Sequence, residues 1–429
     1  MVRCIAIAAV FLIAHPLGAA LTAEQRQLNI QSFEYVWATI RDKHWQVKPG
    51  GLDWQAIHDE FRPKIEAADS MDSARAVLNE MLGRLHQTHF GIVPSDLYSN
   101  VDAAASGDSS TGIDVRVIGP RALVTSVDRD SSAFVQGVRP GWEILKISGF
   151  DLAPVVAKLN ETYSGSSLRD LMLRRTILAR LAGDGAAPVQ VEFMDGDGER
   201  VGRSLAQERV KGDWVQFGYL SPMHVTFHSS RVGDGRIGYV AFNVFLDAQR
   251  LMTSFGDAVQ ACEKCEGFII DLRGNPGGIP VMAMGMAGWF ISQPNQKLGT
   301  LYMRDTTLNF VVNPRLNTFA GPLAILVDGT SASTSEIMAE GLKDLGRARV
   351  FGTRTAAAAL PSLFEKLPDG DGFQYAIANY ISEGGKPLEG LGVTPDVVAP
   401  ITREALLAGK DPPLDAAVVW IERQKRATK

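Results

Sequence analysis

The sequence predicts a multidomain protein of mixed helix and strand, α/β in its largest part, on three observations. An amphipathic helical stretch occupies residues 21–98, short strands separated by turns follow over 111–210, and from 213 to 429 buried strands alternate with helices. The last pattern is that of parallel strands joined by helical crossovers.

Each element rests on its own signal. Phe33, Val36, Trp37 and Ile40 follow the 3, 4, 7 spacing of one helix face, Pro49-Gly50-Gly51 breaks it, and Leu78, Leu82 and Leu85 resume it. A Ser-, Ala-, Gly- and Asp-rich run from Ser99 to Thr111 reads as a linker. In the second region Ala122 to Val127, Glu143 to Ile147 and Val189 to Met194 read as strands, the last closed by the turn Asp195-Gly196-Asp197-Gly198. In the third, strands are expected at Ile237 to Phe242, Phe268 to Leu272, Leu323 to Val327 and Val350 to Gly352, with helices near 247–262, 279–291 and 334–345.

At 429 residues, 45% hydrophobic and 21% charged, the chain can bury several cores. Its net charge of −5 offers no basic footprint for nucleic acid. Arg3, the apolar run Ile5 to Ala14 and the small residues Gly18, Ala19 and Ala20 form a secretory-signal pattern with cleavage expected after Ala20. No later stretch is apolar and long enough to cross a bilayer, so no membrane span is expected after cleavage. Cys262 and Cys265 close a helical pattern before a strand, whereas a redox pair opens a helix after one. A structural pair, with a disulfide in an oxidising compartment, is the expectation.

Two loops stand where open α/β sheets bind ligands, beyond the carboxyl ends of strands. Asp271-Leu272-Arg273-Gly274-Asn275-Pro276-Gly277-Gly278 has glycines that let backbone N–H groups approach a substrate. Asp328-Gly329-Thr330-Ser331-Ala332-Ser333-Thr334-Ser335-Glu336 opens a helix and presents hydroxyls at its positive end. Ser333 is the candidate nucleophile; equally, Ser333 and Glu336 form an ordinary capping box. A serine needs a base. Of the histidines, His89 falls between a helix and the apolar segment Phe90 to Val93.

These motifs resemble the carboxyl-terminal processing peptidases and the tricorn protease, one serine peptidase family, over nearly all of the mature chain. Leu85-His86-Gln87-Thr88-His89 is similar to the family's Leu-x-x-Ser/Thr-His segment. Gly137-Val138-Arg139-Pro140-Gly141-Trp142-Glu143-Ile144 with Ile147-Ser148-Gly149 is similar to its PDZ-like domain, with Trp142 where most members have Asp. Asp271 to Gly278, Ser331 to Glu336, and Leu388-Glu389-Gly390-Leu391-Gly392-Val393-Thr394-Pro395-Asp396 are similar to three further motifs.

The resemblance implies a helical domain at 21–98, a PDZ-like domain at 111–210 and a catalytic core of ClpP/crotonase-like type at 213–429. It also implies a serine peptidase acting on peptides or proteins with no cofactor or metal. Bacterial processing peptidases place a lysine about two dozen residues after the serine; here Gly352 to Leu360 contains none, and Arg354 stays protonated. Tricorn-like members use a histidine and a glutamate instead. That implies Ser333 as nucleophile, His89 as general base, Thr88 as the hydroxyl linking His89 to Glu389, and the N–H groups of Gly277 and Thr334 as oxyanion donors. A non-catalytic ligand-binding protein on the same scaffold, or a hydrolase of non-peptide acyl groups, are the alternatives. The sequence is silent on oligomeric state.

Overall fold

A computed structural model describes residues 21–95, 109–162, 169–183, 187–215 and 223–427. The expected signal sequence and most of the expected linker lie outside these residues.

Helices Ala23–Lys43, Trp54–Glu66 and Met71–Gly83 form the N-terminal region. Phe33, Val36 and Ile40 point inward as their spacing predicts, against Trp54, Phe61, Leu78, Met81 and Leu82. This core is not closed on its own: it includes Leu367, Phe373 and Tyr375, almost three hundred residues further on. Strand Gly91–Val93 pairs antiparallel with Gly372–Ala376, which pairs with Ser362–Lys366. Buried Asp371 accepts two hydrogen bonds from Arg75 (2.7 and 2.9 Å) and one from the Ser95 N–H. The helical region and the hairpin are thus one packed unit.

The second region has an antiparallel sheet in the order Ile113–Ile118, Arg121–Val127, Glu143–Ile147, Val189–Met194 and Arg200–Leu205. The expectation of strands and turns throughout is corrected by two helices, Leu152–Thr162 and Arg169–Ala182. Leu173, Ile177 and Leu181, four residues apart, are buried in the sheet's core, a helical stripe that the short flanking strands obscure. Trp142 belongs to the same core, with its ring edge-on to Phe193 at 5.7 Å. Its departure from the usual Asp therefore falls on packing.

The third region is built on a six-stranded sheet in the order Phe227–Val232, Ile237–Phe242, Gly267–Asp271, Leu323–Val327, Ala348–Gly352 and Val397–Val398. Only the first pairing is antiparallel. Gly267–Asp271 and Leu323–Val327 are buried at every position, as strands covered on both faces must be. Helices Ala248–Gln260, Pro280–Ala287 and Thr334–Asp344 take the expected places, the second ending earlier than expected. Cys262 and Cys265 are joined in a disulfide of 2.02 Å. No helix among the described residues is long and apolar enough to cross a membrane.

Candidate active site

Because Gly267–Asp271 and Leu323–Val327 are adjacent and parallel, the loops that follow them leave the same edge of the sheet. They are stitched together closely. The Ser331 hydroxyl donates to the Leu272 carbonyl at 2.8 Å, Ala332 N–H and the Ser335 hydroxyl both donate to the Asn275 carbonyl, and the Thr334 hydroxyl donates to the Gly278 carbonyl at 2.8 Å. Gly277 has φ 100°, and a Cβ there would lie 2.7 Å from Ser333 Cβ. Only glycine admits this approach.

Asp328 organises the base of both loops. Its Oδ1 accepts from the Thr330 N–H and hydroxyl and the Gly274 N–H, while Oδ2 accepts from Arg116 of the second region at 2.7 Å. Burial opposes this charge, yet the Arg116 guanidinium and the Thr330 contacts outweigh it and hold the carboxyl below its ordinary range.

Ser333 sits at the junction of loop and helix with φ 54° and ψ −118°, a backbone state that a non-glycine residue seldom occupies. Its pairing with Glu336 has capping-box form, the carboxylate accepting the Ser333 N–H at 2.9 Å. The same N–H also lies 2.8 Å from the Ala358 carbonyl. The capping and nucleophile readings are therefore compatible: the backbone is held by Glu336, and the side chain stands at the helix's positive end.

Facing this elbow is the segment Thr355 to Leu360, where the alanines replace any lysine and every residue is buried. Arg354 points away, donating to the Gly390 and Leu391 carbonyls. Ala359 N–H donates to Glu389 Oε2 at 3.1 Å. Glu389 also accepts the Thr88 N–H at 2.8 Å and the Thr88 hydroxyl at 3.0 Å, and that hydroxyl lies 2.7 Å from His89 Nδ1.

The single hydroxyl proton fixes the pattern. If Thr88 gives it to the carboxylate, the Thr88 oxygen must accept from His89 Nδ1–H, so Nε2 carries the lone pair. His89 keeps a partly exposed edge, but the ring is otherwise enclosed by protein, and this burial pushes its pKa down to about 4. It is neutral at pH 7. Burial also raises the Glu389 pKa, against the opposing pull of its three donors.

Thr88, His89 and Glu389 are thus brought together from positions about 300 residues apart, and Ser333 is tied to the same Ala358–Ala359 segment that anchors Glu389. His89 and Ser333 are not hydrogen-bonded to one another. Gly277 N–H, expected as an oxyanion donor, is instead donated to Asn275 Oδ1 at 2.9 Å. Among the described residues, the Thr334 N–H next to Ser333 and the Gly278 N–H in the adjoining turn have no acceptor. Glu336 and Thr355 escape a reading of the sequence as site residues. The sequence marks Glu336 only as the capping-box partner of Ser333 and the end of the Ser331–Glu336 motif, with no part in the chemistry.

Residues 236–399 match peptidase family S41, and residues 27–83 match the tricorn protease C1 domain. The chain thus carries a peptidase family S41 domain preceded by a tricorn protease C1 domain, and over most of its length it is similar to carboxyl-terminal-processing proteases, which are serine-type peptidases. It is 26% identical over 392 residues to a carboxyl-terminal-processing protease of Synechocystis sp., an alignment covering 89% of this chain and 82% of that protein. It is 25% identical over 397 residues to carboxyl-terminal-processing peptidase 3, chloroplastic, of Arabidopsis thaliana, covering 90% and 71% respectively. Among solved structures, a photosystem II D1 C-terminal processing protease superposes with a TM-score of 0.58 at 20% identity, over 93% of this chain and 97% of that one. That likeness concerns the fold.

Proposed function

We propose that the chain is an exported peptidase that cleaves peptide bonds through an acyl-enzyme on Ser333, with His89 as general base and Glu389 acting through Thr88. The observation that carries this reading is the Glu389–Thr88–His89 relay, because it leaves His89 Nε2 unprotonated at neutral pH. His89 takes the Ser333 proton as the hydroxyl attacks the scissile carbonyl, and returns it to the leaving amine. Charge forming on the imidazole is stabilised by Glu389 through the Thr88 hydroxyl. Thr334 N–H and Gly278 N–H receive the developing oxyanion, and Gly277 N–H joins them only by leaving Asn275. Each such donor is worth roughly 10²- to 10³-fold in rate. Water then hydrolyses the ester.

The second region serves in this proposal as a PDZ-like module that presents extended chains by strand addition, and residues 213–429 as a ClpP/crotonase-like core. Export rests on the signal pattern of residues 1–20, and the Cys262–Cys265 disulfide is in keeping with an oxidising compartment. N-terminal sequencing of the protein recovered outside the cytoplasm checks the expected start at Leu21.

The test is digestion of a diverse peptide library by the mature protein, read by mass spectrometry beside Ser333→Ala and His89→Ala. Cleavage by wild type and silence from both variants is the expected result. Loss in Ser333→Ala with survival in His89→Ala would reassign the base. Absence of any cleavage would favour a binding protein or a hydrolase of non-peptide acyl groups, the reading consistent with His89 and Ser333 standing apart.

A further inference from the structure

A capping box needs one hydrogen bond from the Ser333 N–H to Glu336, and Glu336 accepts four. Its fully buried carboxylate takes the Ser333 N–H at 2.9 Å, the Thr355 hydroxyl at 2.5 Å, the Ala357 N–H at 2.8 Å and the Ala358 N–H at 3.0 Å. The Thr355 oxygen in turn accepts the Val393 N–H at 2.7 Å, four residues beyond Glu389. One carboxylate therefore ties the nucleophile elbow, the segment facing it and the stretch that carries Glu389.

Two of the residues so held, Ser333 (φ 54°) and Ala357 (φ 57°), are non-glycine residues in the left-handed half of backbone space, where surrounding contacts must over-determine the conformation. No cation offsets the charge: among the described residues Glu336 makes no ion pair, and its four donors are neutral. An uncompensated buried carboxylate opposes folding, so a purely structural explanation would favour a neutral acceptor here.

A carboxylate is acceptor-only when ionised, whereas the acid must donate a proton. Every neighbour of Glu336 is a donor. Protonation therefore forces the Thr355 hydroxyl to turn round, or one of the N–H groups to let go.

We propose that Glu336 is a positioning residue of the peptidase reaction: in its ionised form it locks the Ser333 elbow and the Thr355–Ala359 segment into the reactive geometry, and its protonation loosens both. The proposal rests on Ser333 being the nucleophile. Burial outweighs the four donors and raises the Glu336 pKa to about 7, whereas burial of His89 lowers its pKa to about 4. A loss of reactivity as pH falls through neutrality does not come from His89, which remains an unprotonated base there; burial raises the Glu389 pKa as well, and Thr355→Val, which touches Glu336 and not Glu389, assigns the inflection. The other titratable groups on the elements packed around Glu336 are engaged elsewhere. Glu389 is bound to Thr88 and Ala359, Glu340 pairs with Lys386, Lys343 with Asp396, and Arg354 with two carbonyls.

The experiment measures the rate at which a fluorophosphonate labels the mature protein between about pH 5 and pH 9, by intact mass, for wild type, Glu336→Gln, Thr355→Val and Ser333→Ala. Failure of wild type to label, or labelling of Ser333→Ala, removes the nucleophile reading itself. With that reading intact, Glu336→Gln, which turns an amide donor toward donors, is expected to label roughly 10- to 100-fold more slowly at alkaline pH and to lose the inflection near neutrality. Thr355→Val removes one donor from the charged form, so its inflection is expected at higher pH. A Glu336→Gln protein that melts normally and labels with the wild-type rate and profile overturns the proposal. Should Glu336→Gln fail to fold, an unmoved inflection in Thr355→Val overturns it instead.

Discussion

The side of the site proposed to carry the nucleophile and the side proposed to carry the base are built differently. Ser333, Thr334 and the Gly277–Gly278 turn belong to two loops from adjacent parallel strands, knitted by hydrogen bonds within Leu272–Gly278 and Asp328–Ser335. Thr88, His89 and Glu389 arrive on segments that meet only through tertiary structure, with Glu389 joining Thr88 to Ala359. The first half is a property of one sheet edge. The second depends on the N-terminal helices being docked to the hairpin Ser362–Ala376.

This contrast can be broken most sharply at Ser333. Ser333→Ala is expected to reduce peptide cleavage by roughly 10⁴- to 10⁶-fold with unchanged thermal stability, and His89→Ala by a comparable factor, since members of such a unit fail together. Equal cleavage by either variant and wild type, measured as kcat/KM, would sink the assignment.

The relay should give a smaller effect. Glu389→Gln and Thr88→Val keep shape but break the link to Nδ1, and each is expected to reduce kcat by about 10²-fold or more, short of the loss from removing the base itself. Thr88→Ser, which retains the hydroxyl, should restore most of the rate; a Thr88→Ser as slow as Thr88→Val would show that the methyl group, not the hydroxyl, matters.

Docking of the base side is probed at Arg75. Arg75→Met leaves the fully buried Asp371 carboxylate without its counter-ion, and a loss of about 3 kcal/mol in denaturant unfolding is expected, together with weaker cleavage. Unchanged activity alongside lower stability would separate the packing of this unit from the placement of His89. The smallest effect is expected at the disulfide. It closes a loop only three residues apart in sequence, so chain entropy limits the loss in Cys262→Ala/Cys265→Ala to about 2 kcal/mol, with catalysis unaffected.

The same division governs what could be read from the sequence. Ile237–Phe242, Leu323–Val327 and Glu143–Ile147 coincide with their expected limits because each is a short apolar or alternating run between turn residues. The two nucleophile-side loops were legible for the same reason, since glycines and hydroxyls at fixed spacing dictate local geometry. Ala356 to Ala359 carry no side-chain signal at all, yet their N–H and carbonyl groups join Ser333, Glu336 and Glu389. The diversion of Gly277 N–H to Asn275 likewise follows from a side-chain orientation no spacing reveals. Helices Leu152–Thr162 and Arg169–Ala182 were missed where a helical period is set among strands.

The pairing of Gly91–Val93 with Gly372–Ala376 also sets an order in time. A chain emerging from its N-terminus holds His89 early and the Ser333 motif later, but the strand that seats the His89 segment comes later still. A chain that ends before Gly372 carries both side chains but lacks the strand on which the His89 segment is seated. Under the proposed mechanism the site is completed only when the chain is almost entirely made, and a fragment ending at residue 360 should remain unlabelled by fluorophosphonate where the full-length protein reacts.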